Sequence, residues 1–442
     1  MGRSKAGGAR RVSIAGGFVF CAFSMAALCG CAAQHAHADS GTAKGSTFDV
    51  RSFGAVGDGK TLSTGAIQKA LDQCGAAGGG TVIFPAGTYL SKPLTLRTKT
   101  TLLLQKGAVL KATDERADFE NPEKPNSFAP FIGGKDLENI TIAGNGVIDG
   151  SGEKWWGPAE EARRKQPGYT LPRPRLIVLT RVRHLRVQDV TLQNSPTFHL
   201  VPSECEDVVI TNVTILAPAH SANTDAIDPS ASRNVLITRC FIDVGDDNLA
   251  IKSGRKIEGR EFACEDIVIE NCTMKHGHGI SIGSETVGGV RNVTVRNCTL
   301  EDTDNGLRIK SPRGRGGRVE NILYTNITMK GMSPTAITIT TYYPKIPASD
   351  EAQAITAETP MFRDIRISHV KGTATRAAGV IVGLPESMVS NVVLDHVELT
   401  APEGLTIRNA KGVQLKDVKI KVSRGEKIVV QDAEVEGLPE AK

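Results

Sequence analysis

Four short segments near the middle of the chain carry side chains suited to acid–base chemistry and to binding an anion. When the segments are aligned on the small or polar residue that precedes an apolar one, Asp225, Asp247, His278 and Asn305 share one register. Asp246 stands beside this register. The segments are Asn223-Thr224-Asp225-Ala226-Ile227-Asp228, Gly245-Asp246-Asp247-Asn248-Leu249-Ala250-Ile251-Lys252, His276-Gly277-His278-Gly279-Ile280-Ser281-Ile282-Gly283 and Asn305-Gly306-Leu307-Arg308-Ile309-Lys310.

Three carboxylates on one face indicate hydrolysis by general acid and base. Carboxylates this close raise one another's pKa, so one can stay protonated for a leaving oxygen while an ionised one activates water. Arg308 and Lys310 are two residues apart and therefore point to one face of a strand, where they could bind an anion. A single Asp in such a position would more often be a turn residue, but the combination in register favours a catalytic site.

An internal repeat supplies the strands that must position these residues. Its template is Asn or Asp, apolar, any, apolar, any, Asn, apolar, any, apolar, and its starts lie 23 to 43 residues apart, as in solenoids. The alternation has period two, so each copy is a strand with one buried face. Asn tolerates the left-handed conformation that a corner needs. The copies start at Asp207, Asn234, Asp266, Asn292 and Asn321, with looser ones at His184, Asp364 and Asn391.

Strands that repeat in one direction pair in parallel, and parallel crossovers are right-handed. The sequence therefore predicts an all-β protein, a right-handed parallel β-helix, with neighbouring coils about 4.8 Å apart. A short amphipathic helix from Thr64 to Cys74 is expected to cap its N-terminal end. No Pro-, Gly- or Ser-rich linker divides the chain further, so residues 47–442 are expected to form a single domain.

The cysteines support the same register. Cys240, Cys272 and Cys298 stand seventh in their copies, so they should stack on successive coils as small buried side chains. Disulfides are the alternative in an oxidising compartment, but vertical neighbours in a flat stack have poor geometry for them. We therefore expect free thiols.

The first residues resemble an export signal. Residues 1–31 combine four cations with an apolar stretch and end in Leu28-Cys29-Gly30-Cys31, which resembles a bacterial lipoprotein box that would leave Cys31 lipidated. Ordinary cleavage after Ala38 is the alternative. Residues 32–46 are expected to be a linker. We expect an exported bacterial protein, either periplasmic, anchored to the outer membrane or secreted, that touches a membrane only through this anchor.

Bulk charge says little about partners. The formal net charge is +5, but residues 1–30 hold four cations and no acids, which leaves +1 for the remainder. No binding to nucleic acid is expected, and the protein is expected to be a monomer.

The four segments resemble the motifs of a known enzyme family. Asn223-Thr224-Asp225, Gly245-Asp246-Asp247, Gly277-His278-Gly279 and Arg308-Ile309-Lys310 are similar, in that order, to those of the polygalacturonases, glycoside hydrolase family 28. The resemblance runs from about Phe48 to Arg408 and includes Arg173-Pro174-Arg175-Leu176 and Asn194-Ser195-Pro196. Two residues depart from the family pattern, since Ala226 stands where Gly is common and Asn248 where Cys is common.

The resemblance implies a role for each site residue. Asp246 would be the general acid, and Asp225 and Asp247 would hold and deprotonate water in a reaction that inverts the anomeric carbon. The remaining residues would bind a pectic substrate such as polygalacturonate, and no cofactor or metal is expected. These substrate-binding residues are Asn223, His278, Arg308, Lys310 and a tyrosine, with Tyr342 slightly preferred to Tyr343.

The finer activity rests on the expected shape of the cleft. Trp155-Trp156-Gly157 and residues 343–363 are interpreted as loops that wall the cleft, which favours exo-action. The alternatives are a rhamnogalacturonan or xylogalacturonan hydrolase, a Ca²⁺-dependent pectate lyase, and a non-catalytic carbohydrate-binding solenoid.

Overall fold

The computed structural model describes residues 45–121, 123–254 and 263–438. The predicted signal peptide, Cys31 and most of the predicted linker lie outside these residues. Among the described residues, no helix combines the length and apolarity that crossing a membrane would require.

Nearly all regular structure is β-strand. The strands of the N-terminal half are β1 (Thr47–Asp49), β2 (Asp58–Leu62), β3 (Gly80–Phe84), β4 (Gly87–Ser91), β5 (Leu94–Thr95), β6 (Thr100–Leu104), β7 (Ala108–Ala112), β8 (Ile132–Lys135), β9 (Glu138–Ala143), β10 (Val147–Asp149), β11 (Ile177–Thr180), β12 (Arg183–Gln188), β13 (Thr191–Gln193), β14 (Leu200–Ser203), β15 (Glu206–Thr211) and β16 (Thr214–Leu216). Those that follow are β17 (Arg233–Thr238), β18 (Phe241–Asp243), β19 (Leu249–Ile251), β20 (Cys264–Glu270), β21 (Thr273–Lys275), β22 (Ile280–Ile282), β23 (Val290–Glu301), β24 (Asn305–Lys310), β25 (Arg318–Met332), β26 (Thr335–Thr340), β27 (Met361–Ala374), β28 (Ala377–Val382), β29 (Val389–Ala401), β30 (Glu403–Val422) and β31 (Ile428–Glu436).

Each strand pairs in parallel with strands one coil away, and the fold is the predicted right-handed parallel β-helix. One coil runs through β15, turns at Asn212 into β16, and reaches a third side at Thr224–Ser230 before β17 begins the next coil. We call the third side the cleft face. It consists of β11, β14, residues 227–230, β19, β22, β24, β26 and β28.

Left-handed residues make the corners, as the sequence predicted. At the sixth repeat position, Asn212, Asn271, Asn297 and Asn326 have φ between 53° and 57°. The first repeat position is also left-handed, with φ of 57° at Asp207. Both polar positions of the template are therefore explained by backbone conformation.

Stacked apolar side chains fill the interior. Because the strands are in register, buried residues of successive coils lie directly above one another and form columns along the axis. The side chains in these columns are almost entirely aliphatic. One such column consists of Ile210, Ile237, Ile269, Val295, Tyr324, Ile367 and Leu394. The six described cysteines are buried and free, which confirms the expected thiols at Cys240, Cys272 and Cys298.

Two helices accompany the solenoid. Helix α1 (Thr64–Ala76) agrees with the expected capping helix and buries Ile67 and Leu71 in the core. Helix α2 (Glu153–Lys165) corrects the expectation of a loop at Trp155-Trp156-Gly157. Both tryptophans are buried, and one acidic residue in the first turn, Glu153, and three basic residues in the last turn suit the helix dipole. Short 3₁₀ helices span Val50–Phe53 and Arg116–Asp118.

Candidate active site

The cleft face brings the four segments together in the predicted register. Ile227 bridges Leu249, Leu249 pairs with Ile280, and Ile280 pairs with Leu307. The residues two places earlier therefore follow one another on successive coils. They are Asp225, Asp247, His278 and Asn305.

Asp225 is buried beside a second carboxylate and a shared cation. Lys252 Nζ lies 3.0 Å from Asp225 Oδ2 and 2.6 Å from Asp228 Oδ2. Burial, and then the neighbouring carboxylates, raise the pKa of Asp225 well above its usual range despite Lys252, and burial raises the pKa of Asp228 to about 6. Asp225 Oδ1 accepts no hydrogen bond from the described residues. That oxygen is buried, so it can take a proton only from a water molecule held inside the site.

Asp247 is equally buried but fully engaged. Its Oδ1 accepts hydrogen bonds from Arg308 (2.6 Å) and Ser281 Oγ (2.8 Å), and its Oδ2 accepts one from Lys310 (3.4 Å). Burial would raise the pKa of Asp247, but Arg308 and Lys310 outweigh it and hold the pKa well below its usual range. Asp247 therefore stays ionised.

Asp246 is the most accessible of the three carboxylates and lies beside His278. Its side chain is 15% exposed, against 4% for Asp225 and 5% for Asp247. His278 Nδ1 is 3.0 Å from Asp246 Oδ1, and Nε2 is 3.2 Å from Asp304 Oδ2. Burial would lower the pKa of His278, but its carboxylate partners raise it to about 11. The same hydrogen bond outweighs burial at Asp246 and lowers its pKa.

Asn223 is held in place by a buried arginine. Arg173 donates to Asn223 Oδ1 (2.8 Å) and to the carbonyls of Pro196 and Ala222 (2.8 and 2.9 Å). The Asn223 amide in turn donates to Asp246 Oδ2 at 3.4 Å. Arg173 is thus committed to the architecture of the site, and Asn223 can orient the acid.

The two candidate tyrosines differ in direction. The hydroxyl of Tyr342 donates to Asp350 Oδ2 at 2.9 Å, and the residue is 8% exposed. Tyr343 is 41% exposed, and the ammonium of Lys310 lies 5.1 Å from its ring centroid. The geometry therefore favours Tyr343 and does not support the expected preference for Tyr342. Residues 341–360 form an irregular segment between β26 and β27, in agreement with the predicted loop.

Sequence reasoning assigned no role to four residues of this site. Lys252 follows Asp247 by the same five places that separate Lys310 from Asn305, a spacing that could have revealed it. Asp228 and Ser281 lie in the quoted segments but carried no distinguishing signal. Asp304 could be recognised only once the position of the His278 ring was known.

One group of side chains could in principle hold a cation. Asp246, Asp247 and His278 each offer a ligand atom within 4.8 Å of the others. Ca²⁺ takes six to eight oxygen ligands, whereas this group includes an imidazole nitrogen, and the oxygens of Asp247 already bind Arg308 and Lys310. The group is better suited to sharing protons than to binding Ca²⁺.

Comparisons with known proteins agree with this chemistry. Residues 74–423 match the model of the family described as Glycosyl hydrolases family 28. An endo-polygalacturonase of Pectobacterium carotovorum subsp. carotovorum is 34% identical over 370 residues, which cover 79% of this chain and 87% of that protein. An exopolygalacturonase of Zea mays is 30% identical over 410 residues, covering 88% and 94%.

A solved structure shares the architecture. The family 28 exopolygalacturonase of Yersinia enterocolitica superposes with a TM-score of 0.76 at 25% identity, over 90% of this chain and 79% of that one. Its fold, the matched family model and the two relatives lead to one conclusion: this chain belongs to glycoside hydrolase family 28.

Proposed function

We propose that the protein hydrolyses α-1,4-galacturonosidic bonds of pectic polysaccharide, with inversion at the anomeric carbon. The observation that carries this proposal is the row of three carboxylates in three different electrostatic environments, beside two cations. Arg308 and Lys310 offer the charges that a galacturonate carboxylate needs. Both relatives named above are polygalacturonases, which supports the same substrate.

The proton donor is the Asp246–His278 pair. The two side chains share one proton, since the ionised acid beside the imidazolium is the tautomer of the neutral acid beside the neutral ring. Asp246 is the most accessible of the three carboxylates, and we place its carboxyl, rather than the more exposed imidazole, against the glycosidic oxygen. As the bond between the anomeric carbon and the leaving oxygen breaks, the proton passes from the pair to that oxygen.

The nucleophile is a water molecule held by Asp225. Asp225 acts in its ionised form, which the ammonium of Lys252 stabilises, and its Oδ1 takes one proton from the water as the water oxygen bonds to the anomeric carbon. Asp247, which Arg308 and Ser281 hold in position, orients that water and stabilises the charge that develops on the sugar. Proton exchange with solvent then returns Asp225 and the pair to their starting states.

We propose exo-action as the finer activity. Residues 126–128, 130, 170–173 and 175 line a cavity at one end of the carboxylate row. Residues 341–360 lie at the other end, where Arg408 donates to the carbonyls of Pro347 and Ala348 at 2.8 Å. A cleft bounded at its ends suits a chain terminus better than the middle of a polymer.

Time-resolved product analysis tests both levels of the proposal. The purified chain without residues 1–31 is incubated with polygalacturonate and excess chelator, and products are separated by anion-exchange chromatography. Saturated monomer or dimer from the first time points supports exo-hydrolysis, while an early ladder of mid-sized oligomers would show endo-action. An unsaturated, ultraviolet-absorbing product would establish a lyase. Activity confined to rhamnogalacturonan or xylogalacturonan would reassign the substrate.

We also propose that the protein is exported with a lipid on Cys31. The support is the cationic and apolar leader that ends at Leu28-Cys29-Gly30-Cys31. Mass spectrometry of the N-terminal peptide from membrane and soluble fractions distinguishes the outcomes. A diacylated or triacylated Cys31 supports the anchor, and a soluble chain that begins after Ala38 contradicts it.

A further inference from the structure

The carboxylate row continues on the cleft face beyond Asp225. Ile177 pairs with Leu200, and Leu200 bridges Ile227, so the residues two places earlier are again in register. They extend the row by Phe198 and Arg175. With coils about 4.8 Å apart, Arg175 lies about 10 Å from Asp225, on the side opposite Arg308.

Arg175 is a cation whose N–H groups have no hydrogen-bond acceptor among the described residues. It is exposed, and no hydrogen bond or salt bridge within the described part of the chain engages its guanidinium. Arg173, two residues earlier, makes three hydrogen bonds of 2.8 to 2.9 Å and is buried. Arg173 already makes the hydrogen bonds that hold this part of the fold together. The guanidinium of Arg175 is not needed for them and is available to a ligand.

An aromatic ring lies next to this guanidinium. The Arg175 guanidinium carbon is 4.9 Å from the ring centroid of Phe198, and Lys252 Nζ is 4.2 Å from the same centroid. Both distances fall within the range of cation–π attraction, so the ring and the guanidinium hold each other in place. Phe198 is only half-buried, which leaves apolar surface for the C–H face of a sugar.

Arg175 and Phe198 line a cavity of about 440 Å³. One wall consists of residues 126–128 and 130 and the other of residues 170–172. Phe128 in the first wall packs edge-on against Trp155 of α2. Ligand sites typically combine apolar lining with a few placed polar groups. A guanidinium also matches a carboxylate in charge and, through two parallel hydrogen bonds, in shape.

We propose that Arg175 and Phe198 form a second galacturonate subsite, one sugar beyond the unit that adjoins the cleaved bond. Arg175 binds the carboxylate of that sugar and Phe198 contacts its ring. Arg308 and Lys310 serve the other side of the bond, so the substrate lies along the row with cations at both ends. The proposal deepens the proposed function and rests on it.

Substrates of defined length test the subsite. Digalacturonate spans only the two units that flank the cleaved bond, whereas trimers and tetramers reach further. For the chain without residues 1–31, the ratio of kcat/KM for tetragalacturonate to that for digalacturonate measures the contribution of outer subsites. Arg175→Ala removes a charge-assisted hydrogen bond to the substrate and should lower this ratio roughly 10- to 100-fold. The loss should appear as a higher KM for tetragalacturonate. Arg175→Lys, which keeps the charge without the paired geometry, falls between.

Arg186→Ala is the matched control, since it removes an exposed arginine from β12, outside the cleft face. It should leave the ratio at the wild-type value. If Arg175→Ala and Arg186→Ala give the same ratio, the subsite is overturned. It is also overturned if Arg175→Ala lowers kcat by the same factor for substrates of every length, because that result indicates a structural effect. If the alanine variant folds poorly, Arg175→Gln replaces it, because glutamine keeps a hydrogen-bonding side chain without the charge. Its ratio should also fall below that of the wild type. Wild-type protein that cleaves no galacturonate oligomer would instead refute the proposed function.

Discussion

At the scale of single residues, three neighbouring carboxylates differ because each has different partners. Asp247 has two cations, Asp225 shares one cation with Asp228, and Asp246 has an imidazole. Roles follow from these partners: a carboxylate that holds two cations stays ionised, and one that shares a proton with an imidazole can deliver it. The differences cannot be read from the Asp residues themselves, because all three lie at or beside equivalent places in similar segments.

Replacing Asp246 tests the donor. Asp246→Asn keeps the size of the side chain and its neighbours but cannot pass on a proton, so kcat should fall by about 10²- to 10⁴-fold. Polymer binding and the thermal unfolding midpoint should stay near wild type. Steady-state kinetics, binding assays and calorimetry measure the three quantities. Retention of more than a few per cent of wild-type kcat would remove Asp246 from the role of acid.

Asp304 should tune the pH profile through His278. The pKa of His278 is raised, so the stabilisation from its charged form is complete below the usual imidazole range and is lost as pH rises towards about 11. Asp304→Asn removes one of the carboxylates that raise this pKa, and the basic limb of the kcat profile should move to lower pH. Because Asp304 is more than half exposed, the change should be small.

Nuclear magnetic resonance titration of the His278 imidazole gives a direct readout for this variant. Asp302→Asn on the same coil is the control, and it should move neither the titration nor the profile. If Asp304→Asn shifts the imidazole titration to higher pH, the direction of coupling is wrong.

At the scale of elements, the strands and corners were predictable, but the walls of the cleft were not. Strand periodicity and repeated Asn residues are local signals, and the fold follows from them because every coil repeats the same backbone path. Helix α2 gave no such signal, since Trp-Trp-Gly-Pro resembles a loop until the burial of Trp155 and Trp156 is known. The choice between Tyr342 and Tyr343 likewise depended on Asp350, a contact within an irregular segment.

The corner residues give a prediction about stability. Asn326 has φ of 53°, and its amide donates to Asn297 Oδ1 at 2.7 Å on the previous coil. Asn326→Ala leaves a residue with a Cβ in the left-handed region but removes the polar side chain whose hydrogen bonds offset the strain. The free energy of unfolding should fall by about 1–2 kcal/mol. Asn326→Gly also loses the hydrogen bond but tolerates the backbone, so it should lose less. Urea denaturation measures both variants, and equal losses would show that the backbone conformation is not the cause.

At the scale of the whole molecule, continuous stacking takes the place of cross-links. Each coil buries its apolar face against the next, so stability comes from one long core and parallel ladders. The sulfur atoms of Cys240, Cys272 and Cys298 follow this stacking, and hydrogen bonds to the other two thiols, together with burial, raise the pKa of Cys272 well above its usual range. The same hydrogen bonds lower the pKa of Cys240 and Cys298, so burial, which keeps reagents away from all three sulfur atoms, is the reason to expect slow reaction in the folded protein.

The absence of disulfides among the described cysteines leads to a prediction for the folded protein. In the chain without residues 1–31, which carry the other three cysteines, a thiol reductant should leave the thermal unfolding midpoint unchanged. A thiol-specific reagent should label none of the six sites before unfolding and all six in denaturant. A midpoint that falls with reductant, or fewer than six reactive thiols in denaturant, would mean that two neighbouring coils are covalently joined and that stacking alone does not account for their alignment.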